Sequence, residues 1–113
     1  MQTIAEMPEF IHRAEHLLSP EERQDLISHL AVFPKASVII SGTGGIRKLR
    51  WARQGMGKSS GVRVIYYFHN EQVSLYLLTI FGKGEKANLS KAERNELAKF
   101  VRLLVQACNG THD

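Results

Sequence analysis

The first third of the chain carries two helical hydrophobic patterns behind a short apolar segment. Residues 1–6 are predicted to form a strand. Apolar side chains then recur at intervals of three and four residues between positions 10 and 18, and again between positions 26 and 33, as on one face of an α-helix. Ser19, followed three residues later by Glu22, has the spacing of a capping box and marks the start of the second helix.

The middle of the chain changes to the pattern of β-strands. Residues 62–69 and 73–81 are rich in β-branched and aromatic side chains, and only three residues separate them. They are predicted to pair as an antiparallel hairpin. Residues 46–52 are predicted to add a third strand, and the glycine-rich sequence SGTGG before them indicates a turn or bulge.

The last part of the chain returns to helical spacing. Ser90 and Glu93 repeat the capping-box spacing, and apolar residues between positions 97 and 108 share one face of a helix that Gly110 is expected to end. The order of elements predicts one α+β domain over residues 1–113. Its small antiparallel β-sheet is expected to carry two N-terminal helices and a C-terminal helix, all against one face.

No segment has the pattern of a membrane span or a secretion signal. No apolar run approaches the roughly 20 residues needed to cross a bilayer, and the first ten residues lack the basic flank and apolar core of a signal peptide. A cytoplasmic protein is therefore predicted. Cys108 is the single cysteine, which excludes an internal disulfide, and its helical spacing with apolar neighbours predicts a buried small hydrophobe.

Positive charge is concentrated in the middle of the chain. Residues 1–25 carry six acids against two arginines, whereas residues 26–70 contain seven lysines and arginines and no acid. Like charges in a folded domain repel one another, so an uninterrupted basic block indicates a surface that binds an anion, with phosphate as the first candidate. A merely solvated basic face, the other interpretation, usually has acids interleaved among the bases.

The stretch ARQGMGKS at residues 52–59 matches the loose pattern of a nucleotide-binding P-loop. A P-loop needs a buried parallel strand before it and a helix after it, because helix N-terminal amides hold the phosphates. Here the preceding segment RKLRWAR is strongly cationic, and the following segment GVRVIYYF is predicted to be a strand. The stretch is therefore interpreted as a long connection between two strands, in which Arg53 and Lys58 supply mobile cations.

Alternation of side chains along the predicted strands brings several cations together. Lys48 and Arg50 share one face of their strand, and Arg63 lies on the next strand. If helices cover only one side of the sheet, these three side chains are expected on the open side, with Lys58 above them. They would form a concave basic surface.

Further cations and aromatic rings are expected at the edge of this surface. Lys83 and Lys86 follow the end of the last predicted strand, and Phe81, with Trp51 or Tyr67 as other candidates, supplies a ring. Proteins usually hold single-stranded RNA with cations on its phosphates and rings on its unstacked bases. The residues therefore predict a surface that binds single-stranded RNA.

The histidines do not form a metal site in the sequence. His12 and His16 lie four residues apart on the polar side of the first predicted helix, but no cluster of acids or cysteines completes a site. His29 is expected to be exposed, and His69, at the hairpin turn, is the one histidine considered for proton transfer. No metal and no other cofactor is predicted.

The most specific signal is the combination of two segments, GTGGIRKLRWARQGMGKSSGVRVIYYF and YLLTIFGKGEKANLSKAE. Their combination resembles the RelE/HigB group of bacterial toxin–antitoxin toxins, specifically its HigB-like branch, over about residues 41–104. The resemblance implies a RelE-like fold, similar to that of small microbial ribonucleases. It implies an endoribonuclease that cleaves mRNA in the ribosomal A site and thereby inhibits translation. The implied partners are the ribosome, mRNA and a cognate HigA-like antitoxin with a helix-turn-helix DNA-binding domain.

The resemblance also assigns roles to individual residues. The arginine that opens the central strand in this family corresponds to Arg63, which is expected to bind the scissile phosphate. The paired cations of the preceding strand correspond to Lys48 and Arg50, and the cation after the next strand corresponds to Lys83. The substrate-stacking aromatic residue corresponds to Phe81, where relatives commonly have a tyrosine, so a hydroxyl role does not transfer.

Metal-independent cleavage of RNA requires a base for the 2′-hydroxyl and a group that stabilises charge on phosphorus. Arginine stays protonated, so Arg63 suits the second role and not the first. A lysine crowded by like charges can act as a base, which makes Lys48 and Lys58 the candidates, with the carboxylate of Glu85 as a rival. The cations expected to contact RNA or the ribosome are Arg47, Arg50, Arg53 and Lys86.

Two other functions are open on the sequence alone. ParE-like toxins share the fold and inhibit DNA gyrase without cutting RNA, although the density of cations argues against this alternative. A general RNA-binding module would bind RNA with a steep dependence on salt and would not cleave it.

Overall fold

The described part of the protein contains three α-helices and five β-strands. A computed structural model describes residues 2–52 and 61–109. In chain order the elements are β1 (Ile4–Glu6), α1 (Pro8–Leu17), α2 (Pro20–Val32), β2 (Val38–Ile39), β3 (Ile46–Trp51), β4 (Val62–Tyr67), β5 (Leu75–Gly82) and α3 (Lys91–Asn109). This order confirms the predicted α+β class and adds β2, which the sequence pattern did not predict.

The strands form one mixed sheet in the order β1-β5-β4-β3-β2. β2, β3, β4 and β5 pair antiparallel, and the predicted hairpin of β4 and β5 is present. β1 instead runs parallel to β5, with Ile4 opposite Leu75. The prediction of an antiparallel sheet is therefore corrected at this edge. Most of the chain connects the two strands, so no short turn constrains their direction.

Helices cover both faces of the sheet. Phe10 of α1 and Leu26 of α2 share a fully buried core cluster with Val64 of β4. On the other face, Val101 of α3 belongs to a second cluster that contains Ile65 of β4. The expectation that all helices pack on one face was wrong, because β4 is buried at every position and presents apolar side chains on both sides.

Both predicted capping boxes are present. Ser19 Oγ accepts a hydrogen bond from the Glu22 backbone N–H at 3.1 Å, and Glu22 Oε1 accepts one from the Ser19 N–H at 2.8 Å. Ser90 and Glu93 form the same two bonds, at 3.1 and 2.8 Å, at the start of α3. These bonds satisfy helix N–H groups that have no partner inside the helix.

The glycine-rich segment before β3 forms the predicted turn. The buried hydroxyl of Thr43 donates to the Ile40 carbonyl oxygen at 2.6 Å and accepts from the Ile46 N–H at 3.1 Å. Gly45 has a φ of +112°, and a Cβ at this position would lie 3.3 Å from Tyr67 Cε1. The turn therefore needs glycine here, and it positions the start of β3.

The second half of α3 is less buried than the sequence pattern predicts. Cys108, expected to be buried, is half-buried near the end of the helix. Leu104 and Val105 of the predicted apolar face are also only half-buried. Within residues 2–52 and 61–109, no helix is long and apolar enough to cross a membrane.

Candidate functional site

A row of side chains crosses three strands at one end of the sheet. Arg50 of β3 lies directly opposite Arg63 of β4, and Arg63 lies opposite Phe81 of β5. Lys48 lies two residues before Arg50, so alternation puts it on the same face. This face is not open along its whole length, as was expected, because α3 packs on it farther along. The three cations predicted to share a face nevertheless do so.

Arg63 is a charged residue in a buried position, with 8% of its surface exposed. Burial lowers the pKa of its guanidinium, and the charge of Arg50 lowers it further. An arginine stays protonated at neutral pH even so. Neither arginine forms an ion pair with a carboxylate of residues 2–52 or 61–109. Because like charges directly opposite on neighbouring strands repel, the pair is suited to hold an anion.

A pocket of about 400 Å³ opens beside these arginines at the end of the sheet, within the size range of small-molecule sites. Lys83 follows β5, and its backbone N–H donates to the Gly61 carbonyl oxygen at 3.0 Å, which fixes it next to the start of β4. The pocket therefore brings three cations together at the end of the sheet. Its described lining consists of Arg50, Trp51, Ala52, Gly61, Arg63 and Lys83.

Trp51 is an aromatic residue at the edge of this pocket. Its side chain is half-buried and packs against the core cluster of α1 and α2. The ring of His29 in α2 lies next to it, with the two ring centroids 5.0 Å apart, and Phe33 lies 5.3 Å beyond His29. The Trp51 ring is thus held on the α1 and α2 face of β3, opposite the face that carries Arg50 and Arg63.

Lys48 is held by a residue that the sequence analysis did not identify. Its Nζ donates to Asn88 Oδ1 at 2.6 Å. Asn88 lies in the loop between β5 and α3, two residues before the capping residue Ser90. At about 3.3 Å per strand residue, Lys48 lies roughly 7 Å along β3 from Arg50. The bond joins positions 40 residues apart, so no local sequence pattern indicates it.

The ammonium group of Lys86 lies over the ring of Phe81. The Phe81 ring is only 1% exposed, and Lys86 Nζ lies 4.9 Å from its centroid. Lys86 also forms an ion pair with Glu93 of α3. The expectation that Phe81 stacks on a base is not supported, because its ring is covered. The structure also gives less support to the predicted contact of Lys86 with RNA, because the charge of Lys86 is already paired with Glu93.

Glu85 belongs to a different group of residues. Its Oε2 accepts from Arg13 Nη2 at 2.6 Å, and its Oε1 accepts from the Gly82 N–H at 3.0 Å. The bond from Gly82 lowers the pKa of this carboxyl, and Arg13 lowers it further. Glu85 lines a separate pocket with Arg13 and His12, not the one beside Arg63. The sequence-based suggestion of Glu85 as a general base is therefore corrected.

Arg47 points away from the arginine pair. Alternation turns it to the face of α1 and α2, where its Nη1 donates to the carbonyl oxygens of Lys35 and Ser37 at 3.2 and 3.1 Å. The side chain thus secures the segment before β2, and its position does not support the expected contact with RNA or the ribosome. Arg53 and Lys58 fall within residues 53–60, outside the described part of the chain.

His12, His16 and His69 lie away from the pocket beside Arg63, whereas the ring of His29 contacts Trp51. His12 and His16 have ring centroids 5.5 Å apart on α1. In residues 2–52 and 61–109, no three histidine, cysteine or acidic side chains are grouped so as to hold a metal ion. His69 Nδ1 lies 2.9 Å from the hydroxyl of Tyr67, beyond the opposite end of β4 from Arg63.

Part of the chain matches a known protein family. Residues 38–111 match the family model of the RelE toxin of the RelE/RelB toxin–antitoxin system. The match covers close to two thirds of the chain, from β2 through α3. It includes all four cations that the structure places on or beside the end of the sheet, namely Lys48, Arg50, Arg63 and Lys83.

Proposed function

The chain belongs to the RelE family of toxins, and we propose that it is a ribosome-dependent endoribonuclease of the HigB-like branch that cleaves mRNA in the ribosomal A site. Family membership makes it the toxin of a toxin–antitoxin pair. The observation that carries the proposal is the cross-strand pair of Arg50 and Arg63, which has no carboxylate partner in the described part of the chain. An RNA phosphodiester bound there would relieve the repulsion between them.

Arg63 is proposed to stabilise the transition state of RNA cleavage. The 2′-hydroxyl loses its proton, its oxygen attacks the adjacent phosphorus, and the bond from phosphorus to the 5′-oxygen breaks as that oxygen takes up a proton. Negative charge builds on the phosphate oxygens during this step. A guanidinium stays charged and donates parallel hydrogen bonds to such oxygens. Arg50 and Lys83 complete the positive clamp from the neighbouring strands.

Two lysines are the proposed candidates for the general base. Lys48 lies on the face of Arg63, and its bond to Asn88 fixes the direction of its amino group. Lys58, which lies between β3 and β4 in the sequence and outside the described residues, is the second candidate. Glu85 is not proposed for this role, because Arg13 and the Gly82 N–H bind its oxygens.

The partner that the family implies is an antitoxin. We propose that it is HigA-like and carries a helix-turn-helix DNA-binding domain. It would neutralise the toxin either by covering the basic pocket with an acidic segment or by holding the toxin away from the ribosome. Both routes would keep mRNA from the arginine pair.

Replacement of Arg63 by alanine tests the proposal. Purified protein is added to ribosomes programmed with a defined mRNA, and new 5′ ends are mapped by primer extension. We expect the wild-type protein to cut at translated codons and Arg63→Ala to cut at least about a hundredfold more slowly, because a charge-stabilising donor is lost. Arg63→Lys should restore little activity, because an ammonium group lacks the planar fork.

Arg102→Ala is the matched control. Arg102 is exposed on α3 and does not line the pocket, so the variant removes the same charge without touching the proposed site. Its cleavage rate should equal that of the wild type. Full activity of Arg63→Ala would disprove the role of Arg63. Intact mRNA, together with DNA damage from inhibited gyrase, would disprove the nuclease itself.

A further inference from the structure

The turn that carries Lys83 is the part of the basic pocket with the least support from its own sequence. Lys83 lies between Gly82 and Gly84, and glycine leaves the backbone more conformations than any other residue. The side chain of Lys83 is exposed and lines the pocket together with Arg50 and Arg63. A cation at such a position is held against a phosphate only if another group fixes the turn.

Glu85 closes this turn, residues 82–85, from its far end. The Glu85 backbone N–H donates to the Gly82 carbonyl oxygen at 3.0 Å, and Glu85 Oε1 accepts from the Gly82 N–H at 3.0 Å. Lys83 is the second residue of the turn that these two bonds close. An exposed carboxylate gives up side-chain freedom to make such a bond, which weakens the bond unless another group holds the carboxylate.

Arg13 of α1 holds this carboxylate from outside the turn. Its Nη2 donates to Glu85 Oε2 at 2.6 Å, and its Nε donates to the Ile80 carbonyl oxygen at 2.6 Å. The guanidinium therefore joins the carboxylate to the backbone of β5. The helix is itself fixed at this place, because Phe10 and Ala14 are fully buried in the core cluster of this face.

We propose that Arg13 is a positioning residue of the basic pocket, which acts through Glu85 to hold Lys83 against the bound phosphate. The inference rests on the proposed function, in which the ligand is single-stranded RNA. It adds to that function a residue of α1, outside the part of the chain that matches the family model. Arg13 lines the separate pocket that contains Glu85 and His12, so it is not proposed to contact RNA.

The bond to Arg13 also keeps the charge of Glu85 away from Lys83. Glu85 follows Lys83 by only two residues, and a carboxylate released by Arg13 would compete with an RNA phosphate for the lysine, because opposite charges attract at short distance. Loss of Arg13 would therefore open the turn and give Lys83 a competing anion. Both effects weaken RNA binding by way of Lys83.

A double-mutant cycle on RNA affinity tests whether Arg13 acts through Lys83. Anisotropy at low salt measures binding of a labelled oligoribonucleotide whose 2′-hydroxyls are methylated, so that it cannot be cleaved. We expect Lys83→Ala to weaken binding by roughly three- to tenfold, the effect of one phosphate contact, and Arg13→Ala to weaken it by at least about twofold. In the Lys83→Ala background, Arg13→Ala should have no further effect, because coupled positions are not additive.

Arg23→Ala is the matched control for the loss of a paired arginine. Arg23 forms an ion pair with Glu6 and lines neither the basic pocket nor the pocket of Arg13, so the variant should bind RNA as the wild type does. The melting temperature checks folding, and NMR gives a direct view of the turn. We expect the order parameter of the Gly84 amide to fall from about 0.85 to below about 0.6 in Arg13→Ala.

The outcomes distinguish this proposal from the enzymatic one. An equal effect of Arg13→Ala with and without Lys83, or an equal loss of affinity in Arg23→Ala, overturns positioning by Arg13. Unchanged affinity in Arg13→Ala, or failure of the wild type to bind RNA, overturns it as well. If Arg13→Ala does not fold, Arg13→Gln takes its place in the cycle. A protein that shows the coupling yet leaves ribosome-bound mRNA intact keeps this inference and loses the nuclease.

Discussion

The charged residues around the end of β5 fall into two groups. Glu85 forms an ion pair with Arg13, and Lys86 forms one with Glu93, so each of these charges is paired with an opposite charge of the same chain. Arg63 is buried and has no carboxylate partner in the described part of the chain. A buried charge without a partner costs roughly several kcal/mol. The first group holds the loop after β5 in place, and Arg63 is left for a ligand.

Glu85 should make the stability of the protein sensitive to acid. Its carboxyl pKa is lowered in the folded state, first by the Gly82 N–H and then by Arg13, from an ordinary value of 4.5. The resulting stabilisation is therefore present above pH 4.5 and is lost as the pH falls below it, through the lowered pKa. We expect Glu85→Gln to reduce the free energy of unfolding at neutral pH by less than about 1 kcal/mol, because the pair is exposed.

Urea unfolding at a series of pH values measures this effect. The difference between wild type and Glu85→Gln should shrink toward zero as the pH falls below 4.5. Glu96→Gln, at an exposed position of α3, controls for the general loss of a negative charge. If the two curves for wild type and Glu85→Gln run parallel down to low pH, the proposed bonding of Glu85 is wrong.

At the scale of secondary structure, local sequence patterns predicted most of the helices and strands. They did not predict how these elements pack and pair. The capping boxes at Ser19 and Ser90 formed where their spacing predicted, because a cap involves only neighbouring residues. The parallel pairing of β1 depends on residues 75–77, far along the chain. β2 has two residues, too few for an alternating pattern to show. The sequence did not predict that helices cover both faces of the sheet, because this depends on where α3 packs.

The same limit applies to the candidate site. Lys48, Arg50 and Arg63 could be placed on one face because strand alternation is a local property. The burial of Phe81 could not be predicted, because it depends on α3 and on an irregularity in β5, where the pairing shifts between Thr79 and Leu77. The hydrogen bond from Lys48 to Asn88 could not be predicted from the sequence either, because it joins distant parts of the chain.

The capping box of α2 should contribute measurably to stability. Ser19→Ala removes the side-chain acceptor for the Glu22 N–H, and we expect it to lower the free energy of unfolding by about 1 kcal/mol. Urea unfolding of the purified protein measures this change. Ser41→Ala, at an exposed turn position, is the matched control and should change stability by less than about 0.5 kcal/mol. Equal stability of Ser19→Ala and wild type would contradict the role of the cap.

At the scale of the whole molecule, charge is divided between the two sides of the sheet. Residues 2–25 of the acidic segment form β1 at one edge of the sheet, and α1 and the start of α2, which pack on one face. The arginine pair points to the other face, beside Lys48 and the pocket that Lys83 lines. Such a distribution orients a molecule in the field of a polyanion and speeds productive encounters. The acidic side would face away from RNA.

Salt should weaken binding of single-stranded RNA in proportion to the number of phosphate contacts. If Lys48, Arg50, Arg63 and Lys83 each neutralise one phosphate, the logarithm of affinity should fall against the logarithm of salt with a slope of about −3. Arg50→Ala should make this slope shallower by about 0.7. Arg102→Ala should leave it unchanged. Anisotropy titrations over a range of salt concentrations give the slopes, and an unaltered slope in Arg50→Ala would remove Arg50 from the phosphate contacts.

The parallel pairing of β1 with β5 bears on when a newly made molecule can become harmful. β1 can pair only after Leu75, the partner of Ile4, has been synthesised. Arg63 likewise gains its partner on β5 only after Phe81 has been synthesised. During synthesis, α1 and α2 therefore emerge before the strand that completes their core, and the basic pocket stays unformed until Lys83 has been added. Contacts between such distant positions also form slowly. The pocket can therefore close only after most of the chain has been synthesised.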